Sequence, residues 1–275
     1  MRTIAHSSDF GWQHLPTILT VAGGTLLLLH GPISQPAHYN NFADRTGLFG
    51  IPHAGDVLSN VGFAVVALWG WIRLRPKREH AALRHGWCGY QLFLIGLLLT
   101  AVGSGYYHLA PDNERLVWDR LPIGLTAAGV LAGVRAETRC DTHASRYAAI
   151  VTVLAILSVG WWHYTDSAQH PGDLRPYLLL QGLPLVLVPL WQAIYRAPRR
   201  DRIWFGVAVL LYLLAKLAEV WDHELLALLG WISGHTLKHL LATAAAGVLI
   251  GRLSQRVHEP TVPLPDGTAA SARLP

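Results

Sequence analysis

Eight stretches of this chain are predominantly apolar and about as long as a bilayer is thick: residues 13–30, 56–74, 87–109, 116–135, 147–164, 176–195, 203–222 and 230–251. A helix rises 1.5 Å per residue, so about 20 residues cross a hydrocarbon core of about 30 Å. Inside that core a backbone must satisfy its own polar groups, which a helix does. The expected fold is therefore all-α: a polytopic membrane helical bundle of eight helices. The run over 13–30, interrupted by Gly23 and Gly24, is the weakest and reads as an uncleaved first span, with a cleaved signal peptide as the alternative.

Composition agrees. Charged residues make up 14% of the 275 and hydrophobic ones 52%, against about a quarter charged in a soluble domain. This excludes a disordered chain, a nucleic-acid module and an ordinary cytosolic enzyme. The loops are short and no repeat is visible, so residues 1–256 read as one membrane bundle. The Pro/Ala/Ser-rich stretch 257–275 reads as a disordered tail. Cys88 and Cys140 have neither metal-type spacing nor partners for a disulfide framework.

Arginine and lysine orient the bundle, because they collect in cytoplasmic loops. Arg2, Arg73, Arg75, Lys77, Arg78, Arg84, Arg135, Arg139, Arg146, Arg196, Arg199, Arg200, Arg202, Arg252, Arg256 and Arg273 fall on one side, and Arg45, Arg115, Arg120 and Arg175 on the other. Both termini are thus expected in the cytoplasm of a multi-pass integral membrane protein. The formal charge of +5 reflects those loops and implies no nucleic-acid partner.

The 15 histidines are the anomaly, since ionisable groups inside a membrane are costly and mark function. The last run contains His235-Thr-Leu-Lys-His239, two imidazoles four residues apart on one helix face. The third run ends in Ser104-Gly-Tyr-Tyr-His108, again one face. The fourth opens near Asp119, the second near Asp56 and Asn60. Singly, each has a bland explanation as an interfacial or helix-end residue. Together they lie within about 15 Å of the non-cytoplasmic ends of their helices. Three imidazoles and a carboxylate at one depth point to zinc, with a fourth position open for water.

These ordered motifs on four helices resemble the alkaline ceramidase family, within a superfamily of seven-span membrane hydrolases that includes adiponectin-receptor-like proteins. The resemblance covers 56–251, leaving 13–30 as an additional N-terminal span. It implies zinc ligation by His108, His235 and His239, proton handling at the metal-bound water by Asp119, and polarisation of the substrate carbonyl by Ser104. The implied reaction is hydrolysis of ceramide or a related lipid amide to a sphingoid-type base and a fatty acid. Such a substrate would enter sideways from the bilayer. The family's acidic N-terminal segment, which binds calcium, is replaced here by the stretch that runs from Tyr39-Asn-Asn-Phe-Ala-Asp44 to Asp56. Asp44, Asp56, Asn40, Asn41 and Asn60 offer oxygens for Ca2+, or the segment is an ordinary outer loop.

Three further expectations concern the polar residues left over. Lys216 and Glu219, three apart, pair inside the bundle, with Glu219 behind a ligand imidazole. Lys238 snorkels to the outer interface. Gly129 and Gly133 serve close helix packing. Alternatives to a lipid amidase are a zinc hydrolase of another lipid ester or amide, a haem-binding electron carrier, and a transporter with Lys216, Glu219 and Asp222 on an ion path.

Overall fold

The structure, a computed structural model, describes residues 11–141, 143–167 and 171–259. Among these it is all-helical. The helices are α1 (Leu15–His30), α2 (Ala54–Ser59), α3 (Val61–Leu74), α4 (Trp87–Leu109), α5 (Asn113–Arg139), α6 (Ala144–Thr165), α7 (Arg175–Ile194), α8 (Arg199–Val220), α9 (Asp222–Leu229) and α10 (Gly234–Arg256). Five segments are long and apolar enough to cross a membrane: Ala54–Lys77, which contains α2 and α3, and α4, α6, α7 and α8. Large apolar side chains such as Leu29, Val65, Ile72, Val102, Leu157 and Val220 point outward, as a lipid-facing surface requires.

Three expected spans fall short of that measure for different reasons. α1 has 16 residues, about 24 Å of rise. α5 and α10 have 27 and 23 residues, but they carry the polar groups of the site, which lowers their hydropathy. Their buried faces hold Asp119, Arg120, His235, Thr236 and His239.

The tightest pair is α4 with α5, and glycine is the reason. A Cβ on Gly89 would lie 2.0 Å from Gly133 N, one on Gly96 2.5 Å from Thr126 Oγ1, and one on Gly103 2.0 Å from the Trp118 carbonyl oxygen. These α4 glycines recur every seven residues, and the first of them, Gly89, meets the expected Gly129 and Gly133 of α5: a Cβ on Gly129 would lie 2.3 Å from Phe93 N and 2.9 Å from the Gly89 carbonyl oxygen. The second close approach is at Gly234, whose Cβ would lie 2.1 Å from the Ala218 carbonyl oxygen of α8. It presses the start of α10 onto α8. Ser233 caps α10 by accepting from Thr236 N at 2.9 Å, and Asp112 caps α5 by accepting from Arg115 N at 2.7 Å.

The arginine-rich end is locked by ions. Arg252 pairs with Asp201 at 2.5 Å and Glu259 at 2.6 Å, and Arg256 with Glu137 at 2.7 Å, which also accepts from Tyr90. The segment expected to be a disordered tail thus begins in ordered contacts: Val257 packs on the α3–α4–α10 core and Glu259 is paired. Residues 260–275 lie outside the described residues. Cys88 and Cys140 are free and exposed.

Candidate metal centre

His108, His235 and His239 meet at the end of the bundle opposite the arginine-rich lock. All three are buried, and one ring nitrogen from each lies within 4.8 Å of the others. The Nε2 atoms of His108 and His235 are 3.2 Å apart. Four ligands at 2.0–2.1 Å from a tetrahedral zinc ion are about 3.3 Å from one another, so this pair already has the spacing of two zinc ligands and the third must draw in. The Ser59 hydroxyl is 2.8 Å from His239 Nδ1, which leaves Nε2 of that ring for a metal and fixes its orientation. The three rings pack edge to face, with centroids 4.7, 4.8 and 5.1 Å apart. That convergence leaves no flat slot for a macrocycle between facing imidazoles, and it suits a single ion.

Carboxylates hold the helices that carry the three histidines in place. Asp222 accepts from His235 N at 2.7 Å and from Ala43 N at 2.8 Å, clamping the start of α10 to the loop before α2. From sequence, Asp222 has a role only in the transporter alternative, on an ion path. Its real signal is positional: it opens α9 right after α8, where a carboxylate can reach the free N–H groups of α10's first turn. Asp56 accepts from Thr236 Oγ1 at 2.6 Å and Ser233 Oγ at 3.0 Å, which sets α2 against α10. Asn60 donates to the Asp56 carbonyl at 2.8 Å.

Asp44 sits one layer out. It accepts from Gly55 N at 2.8 Å, Asp56 N at 3.2 Å and Thr46 N at 2.9 Å. Burial pushes its carboxyl up, but the hydrogen bonds from Thr46, Asp56 and Gly55 outweigh burial and hold it below the usual carboxylate range. Of the other oxygens offered for calcium, Asn40 Oδ1 accepts from Tyr107 Oη at 2.6 Å and Asn41 Oδ1 from Arg45 at 2.5 Å, while Asp56 Oδ2 and Asn60 Oδ1 are buried with no hydrogen-bond partner. Asp44 and Asp56 support the helices that carry the histidines, and Asn60 braces the turn between α2 and α3. Among the described residues, the histidine triad is the group of metal-ligating side chains brought within reach of one ion.

Above the triad, Phe42 packs edge-on against His108 and His235, with centroids 4.7 and 4.3 Å away. Below it opens a cavity of about 300 Å³. Its polar end is formed by Ser104, Asp119, His239, Lys216, Glu219 and Lys238; its far end is apolar, with Phe93, Val130, Phe205 and Leu249. Asp119 is buried and faces the Ser104 hydroxyl. Glu219 takes both lysines: Lys216, as expected, and Lys238 at 2.6 Å. Lys238 therefore does not snorkel. Its ammonium lies 3.4 Å from His235 Nε2, and an inward carboxylate holds it there more strongly than a distant interface would. The sequence matches no family model and no curated protein.

Proposed function

We propose that this protein is a zinc-dependent intramembrane hydrolase of lipid amides, acting on ceramide-like substrates as its resemblance to the alkaline ceramidase family implies. The carrying observation is that a buried three-histidine cluster reaches, through His239, the polar end of an otherwise apolar cavity that Asp119 and Ser104 also line. Small-molecule sites are typically apolar clefts of about 300–1,000 Å³ with a few convergent polar groups.

A zinc ion on His108, His235 and His239 supplies Lewis acidity at a carbonyl and a water of lowered pKa. The residues do the rest. Asp119 takes the proton of the attacking water and returns it to the departing amine. Ser104 donates its hydroxyl hydrogen to the carbonyl oxygen as charge develops there. The apolar walls take the acyl chain and keep bulk water from the reacting carbonyl.

In this reading the chain spans the bilayer eight times: α1, α2 with α3, α4, α5, α6, α7, α8 and α10. Both termini lie on the arginine-rich, cytoplasmic side and the metal centre near the opposite face. The last seven spans form the hydrolase core and α1 is an addition to it. The test uses purified full-length protein. About one zinc per chain, and release of fatty acid from ceramide that is lost with a chelator and with His235→Ala, support the proposal. Undiminished turnover after both treatments refutes it.

A further inference from the structure

The polar end of the cavity contains a charge that the proposed reaction does not use. Arg120 lines the cavity beside Asp119 and is 3% exposed. Its guanidinium stacks 4.0 Å from the ring centroid of Trp162 and lies 5.1 and 5.5 Å from those of Tyr39 and Tyr177. Its Nε and Nη1 have no hydrogen-bond partner. The neighbouring arginines at this end behave differently: Arg115 pairs with Asp112, and Arg175 with Asp173 at 2.8 Å.

A buried arginine is costly unless its charge and its N–H groups are answered. The aromatic cage answers the charge in part, but it gives Nε and Nη1 no oxygen or nitrogen acceptor. Guanidinium is the side chain best matched to a carboxylate or phosphate, through a planar fork. Charge count agrees: Arg120, Lys216 and Lys238 line the cavity against only Asp119 and Glu219. The lining is net positive and so favours an anion.

Position says which part of a ligand this would be. Arg120 is in the second turn of α5, walled by the loop residue Tyr39, by Trp162 near the end of α6 and by Leu174 and Tyr177 at the start of α7. It shares the outer level of the histidine triad, while the apolar part of the cavity extends towards the other end. We infer that Arg120, in its cage of Tyr39, Trp162 and Tyr177, is a subsite for an oxyanion carried at the head of a single apolar chain. The inference rests on reading the cavity as a lipid slot. Two sources share the chemistry: a carboxylate of the released acid, or an acidic head group on the amine side of the substrate.

Equilibrium binding to the full-length protein in detergent tests this without turnover, by competition against a radiolabelled lipid. The probes are palmitate against hexadecanol, and N-palmitoylglycine against N-palmitoylethanolamine. The expected result is at least a tenfold preference for the charged member of one or both pairs. That preference should collapse to under threefold in Arg120→Gln, with the uncharged lipids binding as before. Preference in the first pair alone assigns the released acid; preference in the second alone assigns the head group. No preference in wild type, or one undiminished in folded Arg120→Gln, overturns the inference. Should Arg120→Gln not fold, Arg120→Lys, which keeps the charge and loses the fork, is expected to weaken the preference at least threefold, and an unchanged preference overturns the inference. A protein that shows the preference but hydrolyses no lipid amide would fail the proposed function and not this subsite.

Discussion

The Gly103 contact offers the sharpest test of how the site is built. A Cβ there would lie 2.0 Å from the Trp118 carbonyl oxygen and 2.9 Å from its carbon. Ordinary contacts begin at 3.4 Å, and the obstacle is backbone, which cannot rotate aside. Gly103→Ala must therefore part α4 from α5 by about 1.4 Å at this level. Overpacking of this kind costs about 1–3 kcal/mol. A functional cost comes on top of this, because the next residues on the two helices are Ser104 and Asp119. A misplacement of about 1 Å between acting groups costs about 100-fold in rate. The control is Gly105→Ala, two residues on, where an added Cβ meets nothing within 4 Å. That change should be neutral or stabilising by up to about 1 kcal/mol through helix propensity. The assay is thermal unfolding of purified protein, read beside ceramide hydrolysis and zinc content. Gly103→Ala should lose stability and nearly all activity while Gly105→Ala keeps both. Equal behaviour of the two variants would refute the argument that the α4–α5 approach sets the Ser104–Asp119 geometry.

Three other outcomes are expected. Asp222→Ala strands the N–H groups of Ala43 and His235, at about 1–3 kcal/mol for each buried orphan, and zinc occupancy should fall; Asp222→Asn, which keeps an acceptor oxygen, should lie between it and wild type, and wild-type occupancy in the alanine variant would count against the clamp. Phe93, Val130, Phe205 and Leu249 line both the main cavity and a smaller one of about 60 Å³ at the arginine-rich end, so Phe205→Ala should shift preference to longer acyl chains in a graded ceramide panel, and an unmoved optimum would show that the floor lies elsewhere. Burial pushes the Asp173 carboxyl up, but hydrogen bonds from Arg175, Trp161 and Ile33 outweigh it and hold the carboxyl well below its usual range. Its stabilisation is then complete above the unfolded value of about 4 and is lost as pH falls through the lower folded value, so the gap in thermal midpoint between wild type and Asp173→Asn should be full at pH 6 and close in acid.

Much of the bundle was legible because lipid imposes length and hydropathy on a chain, and because i, i+4 spacing puts two imidazoles on one face. His108, His235 and His239 came together as the motif spacing predicted, with Ser104 and Asp119 beside them. What escaped was every relation between residues distant in sequence that carry no pattern. Asp222 reaches Ala43 across 179 positions. Gly89, Gly96 and Gly103 recur too sparsely to register as a small-residue motif until α5 is laid against them. Lys238 read as an interfacial lysine because its partner, Glu219, lies on another helix. Arg120 counted as one more outer arginine, and only the packing of three aromatic residues around it shows otherwise.

Phe42 covers two of the three imidazoles proposed to hold zinc, and it sits on a segment strung between α1 and α2. That segment is moored at its far end. Ile33 N donates to Asp173 at 3.2 Å, Leu174 N donates to the Ile33 carbonyl at 2.8 Å, and Arg175 reaches the carbonyls of Leu27 and Leu28. The short first helix is thus the anchor of a roof. A chain trimmed to 56–251 would retain every side chain proposed to bind metal or move a proton, yet it would lose Phe42, the Ala43 end of the Asp222 clamp and the mooring on α7. The smallest unit that holds the chemistry and the smallest unit that shelters it are different lengths of the same polypeptide.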